Sequence, residues 1–177
     1  MDISLKGMTE KSQKIAMIAA MSENRIIGMN NKLPWKMPAD WDNFLKITKG
    51  KSFIMGRNSY LSEDRLLSSK KSIILSHHEL YELEEKCIWA PDIYHAFDLL
   101  KDETEIFILG GGSIFEQSMP HANYIYVTVI HSQIMGDTYF PEIDLRFWKN
   151  VKTDYHVKDI ENTYDYSFLE YSKINNF

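Results

Sequence analysis

The sequence contains very little cysteine and no long apolar segment, and both shortages restrict its function. Cys87 is the single cysteine among 177 residues, so an internal disulfide is impossible, which agrees with a reducing compartment. No apolar run approaches the roughly 20 residues that span a bilayer, and residues 1–14 lack the apolar core of a signal peptide. These shortages predict a cytoplasmic protein with no membrane partner.

The chain also lacks an excess of positive charge. It has 20 Lys and Arg against 25 Asp and Glu, a net charge of -5, so no nucleic-acid partner is expected. Any anionic ligand must therefore be bound by a local cationic site. The six histidines have no spacing typical of metal ligands, and no metal site is predicted.

Short apolar runs alternate with helical patterns along the rest of the chain. The runs predict strands covered on both faces, and 91–101 and 112–119 have helical spacing. The strand runs are 15–21, 52–56, 72–76, 87–90, 105–110 and 124–130. The pattern predicts one α/β domain over 15–173, after a polar N-terminal extension over 1–14. Its mostly parallel central sheet has about eight strands, an antiparallel C-terminal edge pair and about four flanking helices.

Two glycine corners follow strands of this sheet, at the edge where ligands of open α/β sheets bind. Gly56 to Ser59 form a helix start that favours a phosphate, and Gly110 to Gly112 let a ligand approach the backbone. The second corner does not match the G-x-G-x-x-G fingerprint, because Phe115 stands where the third glycine should be. Two such corners make a dinucleotide plausible without naming one.

The segment "GMNNKLPWKMPADWDNFLKIT" precedes and opens the first helix. Pro38 suits the first turn, because its φ is already helical and its missing N–H needs no partner there. Asp40 lies near the positive end of the helix dipole. Read by itself, Asp40 is therefore a surface residue that stabilises a helix start.

Short motifs succeed one another along the chain as "IAA", "IGMNNKLPWKMPADWDNF", "IMGRNSY", "IILS", "ILGGGSIFEQ", "VTVI" and "GDTYFP". In this order they resemble the dihydrofolate reductase family. The resemblance implies hydride transfer from NADPH to C6 of 7,8-dihydrofolate and protonation at N5, giving tetrahydrofolate for one-carbon metabolism. Two alternatives stay open: a reductase of a different dihydropterin or related heterocycle with the same fold, and a binding module without catalysis.

The resemblance also implies a substrate site and partners. Asp40 would be the carboxylate that binds the pterin, with Thr128 beside it and Trp35 and Leu33 completing the catalytic group. The implied partners are dihydrofolate and antifolate-type inhibitors, and the expected state is a monomer. The implied substrate-binding residues are Ile18, Ala19, Ala20, Asp40, Phe44, Leu67, Lys70 and Thr128.

For NADPH the family pattern implies contacts from the glycine corners and from the ends of neighbouring strands. Arg57 would lie at the 2′-phosphate, and Ser76 and His77 beside the adenosine. Residues 30–33 resemble a mobile loop that closes over the nicotinamide. The implied cofactor-binding residues are Ala20, Ile27, Gly28, Asn31, Gly56, Arg57, Asn58, Ser59, Ser76, His77, Leu109, Gly110, Gly111, Gly112, Ser113, Ile114 and Phe115.

One segment departs from the family pattern. Where relatives read R-P-L-P-G-R and end in the arginine that binds the glutamate tail of folate, this chain reads "DRLLSSK", with Lys70 in place of the arginine. A lysine lacks the fork that forms two parallel hydrogen bonds. Glu63 lies just upstream, where an apolar contact is expected. The departure predicts a raised KM for dihydrofolate, which a Lys70→Arg substitution would lower.

Overall fold

A computed structural model describes residues 12–174 as an eight-stranded sheet flanked by four helices, with a separate two-stranded sheet. The large sheet has the strand order β5-β4-β3-β6-β1-β7-β10-β9. The strands are β1 (Lys14–Ser22), β2 (Ile26–Gly28), β3 (Ser52–Gly56), β4 (Ser72–Leu75), β5 (Cys87–Ala90), β6 (Glu105–Ile108), β7 (Tyr124–Ile130), β8 (Thr138–Tyr139), β9 (Trp148–His156) and β10 (Tyr166–Lys173). The helices are α1 (Pro38–Thr48), α2 (Arg57–Tyr60), α3 (Ile93–Leu99) and α4 (Gly112–Ser118).

The six apolar runs form the parallel part of the sheet, as the sequence predicts. All residues of β3 and β4 are buried, because helices cover both faces of the sheet. The core on one face is centred on Met17, Ile54 and Ile108, and the core on the other face on Ile18 and Phe107. The predicted mixed sheet is therefore confirmed.

The C-terminal aromatic segment forms the predicted antiparallel pair at one edge. β10 pairs with β7 and β9 pairs with β10, both antiparallel. Seven of the nine residues of β9 are exposed, and this strand lies at the edge of the sheet. Through this pairing, side chains of β9 and β10 lie beside Thr128 of β7 on the same face of the sheet.

Helix α1 begins at Pro38, as the proline predicts, but its cap comes from a distant residue. Met37, the residue before the helix, makes no side-chain cap. Instead, the side-chain oxygen of Asn162 accepts a hydrogen bond from the Ala39 N–H at 3.0 Å. Asn162 is buried and lies between β9 and β10. The C-terminal strand pair therefore fixes the start of the helix that carries Asp40.

The small sheet of β2 and β8 is absent from the sequence prediction, since its strands have only three and two residues. Asn30 and Asn31, both at positive φ, form a two-residue turn in which Met29 and Lys32 exchange backbone hydrogen bonds. Residues 1–11 of the predicted extension lie outside the described part, so its boundary stays a prediction. Among residues 12–174, no helix has the length and apolar character needed to cross a membrane.

Candidate active site

A cavity of about 470 Å³ runs between α1 and the sheet, towards the carboxyl ends of β1 and β6. It contains residues from both predicted groups, those for the substrate and those for the cofactor. The predicted residues that line it are Ile18, Ala19, Ala20, Ile27, Gly28, Asn31, Leu33, Asp40, Phe44, Ser59, Leu109, Gly111, Phe115 and Thr128. Residues that are distant in sequence therefore share one wall.

Asp40 has no cationic partner, unlike Glu170 of the same cavity, which forms an ion pair with Lys152. Its Oδ1 accepts a hydrogen bond from the Thr128 hydroxyl at 2.6 Å. No Lys, Arg or His among residues 12–174 lies within ion-pair distance of it. Burial raises the pKa of Asp40 from 3.8 to about 6, although the hydrogen bond from Thr128 lowers it. The carboxyl group therefore changes protonation close to neutral pH.

The position of Asp40 follows from α1 and from the central strands. Asp40 lies in the first turn of α1, and Phe44 lies one turn further along the same face. Thr128 is paired with Ala20 in the register of β7 and β1. The floor beneath the carboxylate is thus made of small side chains, and a flat ring system can lie against it.

Trp35 does not line the cavity, although it lies close to the start of α1. It packs against the cluster of Met37, Ile130 and Tyr166. Its Nε1 is buried and has no hydrogen-bond partner among the described residues. An indole N–H in this state can bind a water molecule or a ligand atom. Leu33, two residues earlier, does reach the cavity.

The loop that contains Leu33 is attached at both sides of the cavity. The Asn30 N–H donates to the Asp137 carboxylate at 2.8 Å, and the Asn31 side chain donates to the Asn58 carbonyl at 3.1 Å. Lys32 forms an ion pair with Glu63 at 3.2 Å. These contacts join the loop to the start of β8, to α2 and to the segment after α2.

The glycine corners fit a phosphate-bearing cofactor. A Cβ on Gly111 would meet only Ser59 Oγ, at 3.7 Å, so the Gly111 backbone faces open space. Gly110 has φ +101, and a Cβ there would lie 2.6 Å from the Phe115 ring, which only glycine avoids. Neither α2 nor α4 has a side-chain cap at its start. Their first N–H groups can therefore bind an anion such as the diphosphate of NADPH.

The other predicted cofactor residues lie around this corner and outside the cavity wall. They lie at or after the carboxyl ends of β3, β4 and β6, which are adjacent in the sheet. Arg57 is exposed at the start of α2 and borders a shallower depression with Tyr60 and Leu80. Their contacts with a cofactor stay predictions. These residues are Gly56, Arg57, Asn58, Ser76, His77, Gly110, Gly112, Ser113 and Ile114.

Two predicted substrate residues, Leu67 and Lys70, do not reach the cavity. Leu67 packs into the core beside Phe44. The Ser68 hydroxyl accepts hydrogen bonds from the backbone N–H groups of Lys70 and Lys71, and this turn directs the Lys70 ammonium to Glu103 at 2.5 Å. Neither residue is among those that line the cavity, and their contacts with the substrate stay predictions.

Sequence reasoning missed several residues that line the cavity. Ile47 has the helical spacing from Asp40 and Phe44 that could have identified it, and Tyr126 lies two residues before Thr128 on the same strand face. No local sequence pattern identifies the other missed residues, because their positions depend on how loops and edge strands pack. The missed residues include Lys46, Ile47, Met55, Arg65, Leu66, Tyr126, Phe168 and Glu170.

Comparison with known proteins agrees with this geometry. The sequence matches the family model described as dihydrofolate reductase over residues 14–173. The dihydrofolate reductase of Staphylococcus haemolyticus is 38% identical over 161 residues, which cover 91% of this chain and 96% of the relative. That of Bacillus subtilis is also 38% identical, over 91% of this chain and 95% of the relative.

A solved structure gives the same result at the level of the fold. It is the dihydrofolate reductase from Enterococcus faecalis complexed with NADP(H) and RAB-propyl, with a TM-score of 0.84 and 29% sequence identity. The similarity covers 92% of this chain and 97% of that chain. From the family match, the relatives and the site geometry together, the chain belongs to the dihydrofolate reductase family.

Proposed function

We propose that this protein reduces 7,8-dihydrofolate to 5,6,7,8-tetrahydrofolate, with NADPH as the hydride donor. The observation that carries the proposal is the environment of Asp40. Its carboxylate has no cationic partner and accepts a hydrogen bond from Thr128. The cavity that contains it also reaches the glycine corner at Gly111. A pterin presents its 2-amino group and a ring N–H side by side. A carboxylate with two oxygens can accept a hydrogen bond from each.

Asp40 serves both binding and proton transfer in this reaction. As a carboxylate it accepts hydrogen bonds from the pterin, and its pKa of about 6 lets it exchange a proton near neutral pH. Asp40 thereby favours the pterin protonated at N5, which is the better hydride acceptor. Thr128 holds the carboxylate in place through its 2.6 Å hydrogen bond.

The glycine corner supplies the place for the cofactor. Bound NADPH supplies the hydride that is added to C6. The open backbone at Gly111, with Ser59 opposite, provides donors for the diphosphate, and Arg57 provides a cation for the 2′-phosphate. The position of Ala20 and Phe115 in the cavity wall leaves a flat apolar surface for the nicotinamide.

The loop around Leu33 excludes water during the reaction. Its contacts with Asp137, Asn58 and Glu63 join it to the start of β8 and to the region of α2. With water excluded, the interaction between Asp40 and the substrate becomes stronger.

The test is an NADPH oxidation assay with matched substrates. The protein is incubated with NADPH and either 7,8-dihydrofolate, a 6-methyl-7,8-dihydropterin or a deaminated pyrimidine of the riboflavin pathway. Rapid oxidation with dihydrofolate and formation of tetrahydrofolate is the expected result. Turnover of only the dihydropterin would favour the alternative of a different pterin reductase. Binding without turnover of any substrate would favour a binding module.

The proposal extends to the state of the protein in the cell. It acts as a cytoplasmic monomer over a domain of residues 15–173, and it binds antifolate-type inhibitors at the Asp40 end of the cavity. The lone cysteine, Cys87, agrees with a reducing compartment. Light scattering after size-exclusion chromatography, and competition of a diaminopyrimidine with dihydrofolate, test the two statements.

A further inference from the structure

The first turn of α1 depends on a side chain from outside the helix. Pro38 has no N–H, and the Asp40 N–H is bonded to the Met37 carbonyl at 3.1 Å. The Ala39 N–H, at the second helical position, has no carbonyl of the helix within reach. The Asn162 Oδ1 accepts a hydrogen bond from it at 3.0 Å, as the side chain of a cap residue would. Since Ala39 directly precedes Asp40, this bond fixes the peptide unit from which the Asp40 side chain extends.

The Asn162 amide is itself held in one orientation by Asp159. Its Nδ2 donates to both carboxylate oxygens of Asp159 at 3.0 Å, and its backbone N–H donates to Oδ1 at 2.8 Å. These bonds hold the pKa of Asp159 below its usual value. Because a carboxylate only accepts hydrogen bonds, the Nδ2 side of the amide faces Asp159 and the Oδ1 side faces Ala39. Asn162 is only 4% exposed, so water competes little for these bonds.

Both contacts that fix Asp40 lead to the same edge of the sheet. Thr128, which donates to the Asp40 carboxylate, lies on β7, and β7 pairs with β10. Asn162 lies in the segment that leads into β10. Tyr166, the first residue of β10, packs with Met37 in one buried cluster. This apolar contact remains when the Asn162 amide is removed, so such a variant should fold with a loosened start of α1.

The placement of the Asp40 carboxylate affects both binding and protonation. Two hydrogen bonds to the pterin require both oxygens to be in position, and a displacement of about 1 Å can lower a rate about a hundredfold. The pKa of about 6 results mainly from burial, so a helix start that admits water should lower it.

Other titratable groups also line the cavity near the start of α1 and the strands beneath it. None of them makes a hydrogen bond or ion pair with Asp40. The pKa of Asp40 therefore reports on its burial and on its bond with Thr128. The groups contributed by α1, β7, β9 and β10 are Lys46, Tyr126, Lys152, Asp154, His156 and Glu170.

We propose that Asn162 is a positioning residue for the reduction of dihydrofolate, and that it acts through the start of α1 to hold the Asp40 carboxylate in place. The proposal rests on the proposed function. Asn162 does not line the cavity, so its effect passes through Ala39. Asp159 supports this role, because it determines which side of the Asn162 amide faces α1.

Asn123 provides a matched control for Asn162. Its Oδ1 accepts from the Ile15 N–H at 3.0 Å, and its Nδ2 donates to the Gln13 carbonyl at 2.9 Å. Asn123 therefore also joins distant segments of the chain through its amide. It does so at the start of β1, at the opposite end of that strand from Ala20.

The experiment measures single-turnover hydride transfer between pH 5 and 9, KM for dihydrofolate and NADPH affinity in Asn162→Ala and Asn123→Ala. In Asn162→Ala we expect hydride transfer at pH 7 to fall about five- to thirtyfold and KM to rise about two- to fivefold. The inflection near pH 6 should move down by about half a unit to one unit, while NADPH affinity stays within about twofold. In Asn123→Ala all four quantities should stay within about twofold of wild type or unmoved, although urea denatures both variants earlier.

An exchange of the two side chains tests the proposal even if Asn162→Ala fails to fold. Asn162→Asp alone sets two carboxylates against each other, and hydride transfer should fall at least about tenfold. Asn162→Asp combined with Asp159→Asn again places an amide N–H against a carboxylate and an acceptor oxygen against Ala39. This double variant should recover hydride transfer to within about threefold of wild type. Its negative charge beside the start of α1 should raise the inflection by about half a unit to one unit.

Two results would overturn the positioning role. One is a rate and pH profile in Asn162→Ala that match those of Asn123→Ala, which would mean that Asn162 only stabilises the fold. The other is a double variant that transfers hydride no faster than Asn162→Asp alone. Failure of the proposed function looks different, because wild-type protein would then not oxidise NADPH with dihydrofolate.

Discussion

The two ends of the cavity differ in the surroundings of their charged side chains. At the Asp40 end a carboxylate lies against apolar and small side chains with one hydroxyl as its partner, and its pKa is raised to about 6. At the other end acids and bases are paired near solvent, as in Arg65 with Glu84 and Lys32 with Glu63. Burial without a counter-ion produces a reactive group and costs stability, whereas pairing in solvent costs little and leaves charges available for binding.

The largest expected effect is on catalysis at the buried end. Asp40→Asn keeps the size of the side chain but removes the group that exchanges a proton. Hydride transfer at pH 7 should fall by about a hundredfold or more, since general acid–base contributions are of that order. In wild type the rate should decline as pH rises through about 6, where Asp40 loses its proton.

Single-turnover stopped-flow measurements between pH 5 and 9 test this expectation. The inflection near pH 6 should disappear in the Asn variant, with part of the rate recovered at low pH where the substrate is itself protonated. NADPH affinity, measured by fluorescence, serves as the control and should stay within about twofold. A near-normal rate of hydride transfer at pH 7 in the variant would contradict the proposed role of Asp40.

The second prediction concerns stability. The substitution of Asp40 that lowers the rate of hydride transfer should raise the free energy of unfolding. The folded-state pKa of Asp40 is higher than its unfolded value, so its favourable contribution exists below about pH 4 and is lost as pH rises through about 6. The difference between 3.8 and about 6 corresponds to about 3 kcal/mol. Asp40→Asn should therefore raise the free energy of unfolding at pH 8 by up to ~3 kcal/mol.

Urea denaturation of both proteins at pH 4 and pH 8 measures this difference. The gain should be large at pH 8 and small at pH 4, where wild-type Asp40 is protonated in the folded state. An equal gain at both pH values would point to packing in the variant and not to desolvation of the carboxylate.

A smaller effect is expected when the one hydrogen bond at the buried end is removed. The Thr128 hydroxyl lowers the pKa of Asp40, so Thr128→Val should move the inflection of hydride transfer to higher pH. A hydrogen bond to a charged group is worth about 1.5–3 kcal/mol, which corresponds to roughly one to two pH units. The pH profile of Thr128→Ser is the matched control, and it should stay close to wild type.

The smallest effect is expected at the exposed end. Lys32 and Glu63 have side chains that are 62% and 81% exposed, so their ion pair should stabilise the fold by less than about 1 kcal/mol. Glu63→Gln should therefore change the free energy of unfolding little, and its small effect should vanish at high salt. A loss comparable to the Asp40 effect would contradict the distinction between the two ends. Thermal denaturation at low and high salt measures the change in stability and its dependence on salt.

Much of the fold could be predicted from the sequence because its determinants are local. Continuous apolar runs such as 52–56 and 124–130 predict strands covered on both faces, and the structure contains strands at those positions. Pro38 fixed the start of α1 in the same way. The succession of motifs also identified the family, since each motif is a contiguous stretch of residues.

The sequence alone could not predict contacts between residues that are far apart in the chain. The start of α1 has no local cap, and Asn162, 123 positions away from Ala39, supplies it. Lys70 lies outside the cavity wall and forms an ion pair with Glu103, 33 positions away, whereas Arg65, in the loop after α2, lines the cavity. Such contacts leave no periodic signal in the chain.

Asp40 shows most clearly which properties come from the sequence and which come from the tertiary structure. Its sequence context determined that it lies in the first turn of a helix, where an acidic residue is favoured by the helix dipole whether or not it has a function. Only the tertiary structure decided that this turn lies against the sheet, beside Thr128 and away from any cation. Desolvation is a property of everything packed around a group, so the raised pKa of Asp40 exists only in the folded protein.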